Sequence, residues 1–355
     1  MMQTENDWPM FGRTPMRTNA TRELVAPPLS LAWEQDISSS AGYGSPIIID
    51  SNVIVTNMRG ELYVFNVNSG KRYGWVSLGD AIHGSPVIEG SVAYVAASYS
   101  RESLIAYDLV EGKVLWRRDY GDIEVTPLLH EGRLYFGNTA GVFFCVDKQQ
   151  GERQWSFRLP QNRTYKGIRS SAAVFENSIL FGAEDGNLYC LDASTGREQW
   201  SFNTGAPIFA APAVSDGVVF IGNMAGVFIA LDARTGTERW RASTGSPIYA
   251  AASFAENVTL IGTAEGKLLA FHFADGSMRW SAELNGAINS SAVISGNIVY
   301  VGTLKKELYA LKVQDGSIIW KQTLKGRVKT SPAIAGGKLF IATDDRNLLA
   351  FQPSQ

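Results

Sequence analysis

The sequence predicts an all-β fold: an eight-bladed β-propeller of four-stranded antiparallel blades, closed by the N-terminal strand completing the last blade. Three observations carry this. Tryptophan recurs at positions 33, 75, 116, 155, 200, 240, 280 and 320, at spacings of 39 to 45 residues, the period of a repeat architecture. Each repeat holds four short runs rich in Val, Ile, Phe, Tyr and Leu, separated by Gly, Asn, Asp and Ser, the pattern of a four-stranded meander. Finally, the strands do not add up unless the chain closes on itself. Eight first strands, starting near Ser45, Ser85, Thr126, Ser171, Ala211, Ala251, Ser290 and Ser331, are followed by only seven Trp-bearing last strands. Residues 31–36 (LAWEQD), which precede the first repeat, supply the missing strand beside the final segment 331–351. Closure removes the seam and leaves only short, protected edges.

Taken in order, residues 1–30 form a lead-in and residues 31–355 a single propeller domain. Trp8 and Phe11 are too large and apolar for a free tail, so they dock on the propeller, either in a blade interface or across one mouth of the axial channel. Within a blade the strands are called A to D. The A–B connections (50–52 and 216–217 among them) and the C–D connections (Gly70, Gly112, Gly151, Gly196, Gly236, Gly276 and Gly316) are tight turns that need positive φ. A meander places both sets on one face, and the B–C loops and D–A crossovers on the other. The first face repeats its chemistry, which suits architecture. The second varies, which suits recognition.

Asp108, Asp147, Asp192 and Asp232 close strand C three or four residues before the turn glycine. That position favours a carboxylate capping turn amides. Asn66 occupies the same slot, whereas His272 and Lys312 depart from it. The tryptophans, one per blade, are core residues wedged between neighbouring sheets. Two loops break the spacing. One is the insertion 160–167 (PQNRTYKG), with Arg163 and Tyr165; the other is the loop 98–103 (SYSRES), with Tyr99 and Arg101. Tyr and Arg are enriched at binding hot spots.

Bulk properties exclude several classes. Net charge is −2 with both signs scattered, so no basic stripe is available to nucleic acid. No run of 18 apolar residues exists to span a membrane as a helix. The opening MMQTENDWPMFG lacks a basic and then apolar leader. Periplasm or cell envelope is expected for a chain whose signal peptide has been removed, cytoplasm otherwise. A monomer is expected. Cys145 and Cys190 fall two residues before the strand-C acid, a slot that other blades fill with Ala106, Ala230, Ala270, Ala310 and Ala350. They are therefore read as small hydrophobes rather than a disulfide. His83, His130 and His272 occupy different repeat slots, so their spacing makes no metal cluster. No nucleophile elbow, P-loop or dinucleotide fingerprint is present.

One position is singled out by the alignment of the A strands. Two residues before the Ser/Thr/Ala slot stand Tyr43, His83, Glu124, Arg169, Phe209, Tyr249, Asn289 and Lys329. Their neighbours repeat monotonously, but this position mixes aromatic, amide and charged groups. Strand A lines the axis, so these eight side chains should ring one mouth of the channel. Such a mouth suits a small polar ligand or an inserted peptide.

The segments ALDARTGTERW (230–240), CLDASTGREQW (190–200) and AYDLVEGKVLW (106–116) resemble the tryptophan-docking repeats of pyrroloquinoline quinone (PQQ)-type propellers. The opening DWPMFGRTPMRTN (7–19) is similar to the lead-in of that superfamily. The resemblance covers residues 7–351 and implies the fold, not the function. In the quinoprotein dehydrogenase branch, PQQ sits in the axial funnel with a vicinal cysteine disulfide, a stacking Trp, and Ca²⁺ held by Glu, Asn and Asp. This chain has no adjacent cysteines, its tryptophans occupy repeat slots, and Glu124 and Asn289 belong to blades three and seven. The non-catalytic branch is the BamB family of envelope lipoproteins, which scaffold outer-membrane β-barrel assembly. Resemblance to it implies a non-enzymatic scaffold without a cofactor, whose partners are other proteins such as envelope assembly components. A PQQ-dependent oxidoreductase and a small-ligand or carbohydrate sensor are the alternatives.

Overall fold

The computed structural model describes residues 7–160 and 167–354. All regular elements among them are strands, and no helix is long and apolar enough to cross a membrane. The strands form eight sheets. Blade one runs Ile47–Ile49, Asn52–Thr56, Glu61–Asn66 and Arg72–Ser77, and the same up-and-down order repeats through blade seven. Blade eight takes strands A to C from Ala333–Ala335, Lys338–Ala342 and Asn347–Pro353, and its strand D from Leu29–Asp36. The closing pair is antiparallel, with Trp33 opposite Ala350. The predicted closure is therefore observed. The apolar clusters lie between adjacent blades, so each sheet is buried against two neighbours.

The tryptophans show how the blades are joined. In seven blades the strand-D indole stands opposite the small slot of strand C, as in Ala230↔Trp240 and Cys190↔Trp200. A β-bulge follows immediately, for example between Ala230 and Leu231, and turns the ring toward the next blade. There six of the seven indole N–H groups donate to a backbone carbonyl, among them Trp240 to Phe273 at 2.9 Å and Trp280 to Val313 at 2.8 Å. The Trp240 face covers the turn glycine of the next blade. Gly276 has φ +70°, and a Cβ there would lie 2.4 Å from the Trp240 ring. Glycine is required both for the turn and for the indole resting on it.

Trp75 corrects the reading of one equivalent Trp per blade. It follows its turn glycine Gly70 by five residues rather than four. Val64, the small-slot residue of blade one, therefore faces Gly74, and Trp75 pairs with Tyr63 instead. A one-residue slip in a strand sends the side chain to the opposite face. Trp75 is accordingly 56% exposed.

The strand-C acids behave as predicted. Asp232 Oδ1 accepts from the amides of Arg234 (3.1 Å) and Thr235 (3.0 Å), and Asn66, Asp108 and Asp192 make the same turn. Where His272 and Lys312 depart, Asp275 and Asp315 cap the turn amides of Ser277 and Ser317 instead.

The lead-in crosses the axis on the turn-rich face. Trp8 is fully buried, bridges Ile48 of blade one and joins the core at the seam with blade eight. Pro15 and Met16 carbonyls accept from Val174 and Val214, the A strands of blades four and five. Ala20–Thr21 then adds a parallel strand to Val293–Ser295 of blade seven. Phe11 rests on Ala211 and Ala251. Of the two roles expected for these aromatics, Trp8 takes the blade interface and Phe11 the channel. Behind Phe11, the fully buried Arg17 donates to the Ala172 and Phe11 carbonyls and lies 5.3 Å from the Phe11 ring centroid. Burial lowers this guanidinium to about 9.

Candidate functional site

The channel is thus a blind funnel of about 450 Å³, floored by Phe11 and open at the crossover face. Seven of the eight sequence-predicted ring residues line it: Tyr43, His83, Glu124, Arg169, Phe209, Tyr249 and Asn289. Lys329, from blade eight, instead stands 4.0 Å from Asp344, whose carboxylate also holds Arg327.

Beneath the ring, the repeating Ser/Thr slot does more than fill space. The amide of Ser45 donates to Ser85 Oγ (2.7 Å), Ser85 to Thr126 Oγ1 (2.9 Å), Thr126 to Ser171 Oγ (3.0 Å), and Ser291 to Ser331 Oγ (3.0 Å). Each hydroxyl therefore ties its blade to the previous one. The belt is interrupted at Ala211 and Ala251, where the missing hydroxyls make room for Phe11.

Around the ring, two aromatic pairs, from blades one and two and from blades five and six, flank an ionic cluster from blades three and four. Tyr43 stacks on His83 with 6.4 Å between centroids, and Phe209 packs on Tyr249 at 6.1 Å. Tyr99, from the loop 98–103, lies 6.2 Å from His83 and extends this aromatic wall. Its backbone has φ +61°, and its amide donates to Asp122 at 2.6 Å. Opposite in character is an ionic cluster: Arg169 Nε donates to Glu124 at 2.7 Å while its Nη1 engages Glu184. Burial alone would depress the Arg169 guanidinium, but Glu124 and Glu184 outweigh it and hold the group above its ordinary value. Glu184, from a B–C loop, was not anticipated; nothing in its repeat position distinguishes it.

His83 is buried, and desolvation lowers it below 6.5 despite the opposing pull of Glu124. Its Nε2 has no hydrogen-bond partner among the described residues, and neither do Asn289 Oδ1, Ser290 Oγ and Ser45 Oγ. Buried polar atoms of this kind favour a ligand or inserted group that supplies the missing bonds. Arg101 is exposed and does not line the funnel. Arg163 and Tyr165, with most of the insertion 160–167, lie outside the described residues.

Fold and funnel together define the class: an eight-bladed propeller of the PQQ-type repeat. The family described as outer membrane protein assembly factor BamB matches residues 26–168, 140–293 and 283–354, and the chain belongs to it. Crystallised BamB from Moraxella catarrhalis superposes with a TM-score of 0.79 at 19% identity, covering 91% of this chain and 99% of that one. Quinohemoprotein alcohol dehydrogenase ADHIIG from Pseudomonas putida HK5 gives 0.85 at 15% identity, covering 98% of this chain and 80% of that enzyme. An uncharacterized protein of Rickettsia conorii is 23% identical over 171 residues; that match spans 41% of the relative's length and 43% of this chain.

The residues present do not fit a quinone held over Ca²⁺. Cys145 and Cys190 are separate, buried, free thiols, pushed up by burial to about 11 and about 12. The Glu124 carboxylate is engaged by Arg169. No group of three or more His, Cys, Asp or Glu side chains that could hold a metal ion occurs among the described residues.

Proposed function

We propose that this protein is a non-enzymatic scaffold of the bacterial cell envelope that binds other proteins through the crossover face, in the manner of an outer-membrane assembly factor. One observation carries the reading. Seven of the eight residues at the one position that varies around a repeated chassis line a single funnel, and its one carboxylate, Glu124, is held by Arg169. Recognition groups remain (aromatic faces, the Asn289 amide, the His83 imidazole), with no nucleophile and base in hydrogen-bonding reach of each other there among the described residues. A volume of about 450 Å³ suits the insertion of a few side chains from a partner loop.

The competing reading, a PQQ-dependent oxidoreductase, draws support from the overall likeness to ADHIIG. Thermal unfolding with PQQ and Ca²⁺ separates the two. Ligand at 100 times its dissociation constant adds about 2.7 kcal/mol to stability. An unchanged melting temperature and no dye-linked alcohol oxidation are expected. A clear rise accompanied by turnover would replace the scaffold with an enzyme.

A further inference from the structure

Because Trp75 has slipped by one residue, the junction between blades one and two lacks the in-register indole found at the seven others, six of which bond to the next blade. The six indoles of Trp33, Trp116, Trp155, Trp200, Trp240 and Trp280 each donate to the carbonyl that follows the strand-C cap position of the next blade. In blade two that carbonyl belongs to Leu109, and no indole donates to it among the described residues. The covered turn glycines would bring a Cβ within 2.4–2.7 Å of an indole, whereas Gly112 would meet only the Tyr107 hydroxyl, at 3.7 Å. On the donor side stands Gly74, with nothing within 4 Å of where its Cβ would be.

What remains is a groove of about 450 Å³ with an apolar wall that includes Ile54, Leu62, Val64 and Leu109. It is continuous with the buried interface between the two blades. Its rim exposes Tyr73 (57%), Trp75 (56%) and Val110 (83%). The groove lies between strands C and D and the turns, away from the funnel.

We infer that this groove is an open docking slot for a tryptophan side chain carried on an extended segment of a protein partner. Its chemistry follows that of the six filled junctions: an apolar wall and, at Leu109, the carbonyl position that elsewhere accepts an indole N–H. Asp7 accepts from the amide of Asp50 at the groove's edge, and the sequence of residues 1–6 contains no aromatic side chain.

The probe is the capped tripeptide Ac-Ala-Trp-Ala-amide, titrated into the full chain while the backbone amides of Gly74, Leu109, Val110 and Gly112 are followed by NMR. Saturable shifts are expected at these sites, with at least about tenfold weaker binding of Ac-Ala-Leu-Ala-amide, corresponding to about 1.4 kcal/mol. Gly74→Trp should seat its own indole in the slot, raise the melting temperature and abolish the shifts. Val110→Glu, at a surface position that does not threaten folding, should weaken the peptide several-fold. Equal binding of the two peptides, or binding unaffected by both variants, would overturn the inference. So would a homodimer that Gly74→Trp dissociates, which would assign the slot to a second copy. Likewise, peptide binding that appears only after deletion of residues 1–6 would assign it to the chain's own N terminus.

Discussion

Replacing Trp33 or Trp240 by alanine is expected to destabilise the protein by about 3–5 kcal/mol, whereas Trp75→Ala is expected to change stability by no more than about 0.5 kcal/mol. Trp33 and Trp240 are 8% and 7% exposed. Each fills the space between two blades, donates to a carbonyl of the next blade, and lies on its turn glycine. Truncation removes the apolar contacts and leaves a cavity that rigid sheets cannot close. Trp33 has a further role, because its strand pairs with the final segment and so completes the last blade. Its loss should therefore also weaken pairing of the final segment. Trp75 makes no such cross-blade hydrogen bond; it stacks on Tyr63 of its own blade at 6.1 Å and remains 56% exposed. Denaturant unfolding followed by circular dichroism distinguishes these cases. Equal losses at all three positions would contradict the slipped register.

Gly42→Ala is expected to cost about 2–3 kcal/mol, the range for forcing extra volume into a packed site, and to disturb the funnel mouth directly. A Cβ at Gly42 would lie 2.1 Å from the His83 carbonyl oxygen. That oxygen accepts the Tyr43 amide at 2.6 Å. The clash is with backbone, so no rotamer change relieves it, and the crossover carrying Tyr43 must move away from blade two. Gly74→Ala provides the matched control, since nothing lies within 4 Å of its new methyl group. A stability loss confined to Gly42→Ala, together with shifted Tyr43 and His83 resonances, is the expected outcome. Comparable behaviour of the two alanine variants would show that the mouth is not closely packed.

Much of this was legible because the repeat encodes the fold redundantly. A period near 40 residues, the turn glycines and the surplus strand at Trp33 each point to the same closed wheel, and local and global signals agree. The ring was legible for the opposite reason: it is the position where the repeat stops repeating. The register of Trp75 was also present in the sequence, as five residues rather than four after Gly70. Counting tryptophans hides it, and counting from the glycine reveals it. Contacts between residues distant in sequence were not legible. Glu184 reaches Arg169 only because a B–C loop folds over the crossover. The Ser/Thr belt joins residues about 40 apart that look like independent small residues along the chain. Arg17, within a stretch that reads as polar and exposed, is fully buried behind Phe11. No spacing rule signals that a plug needs such an anchor.

The most direct test of the scaffold reading is site-specific photo-crosslinking in the organism's own cells. A photoreactive phenylalanine is placed at Tyr43 or Tyr249 in the funnel mouth, which are 58% and 38% exposed, or at Arg197 on the turn-rich face. Crosslinks from both funnel positions to the same envelope protein, absent from Arg197 and lost when Arg169 is changed to Glu in a variant that still folds, are predicted. Crosslinks from Arg197 with none from the funnel would place recognition on the opposite face and contradict the account.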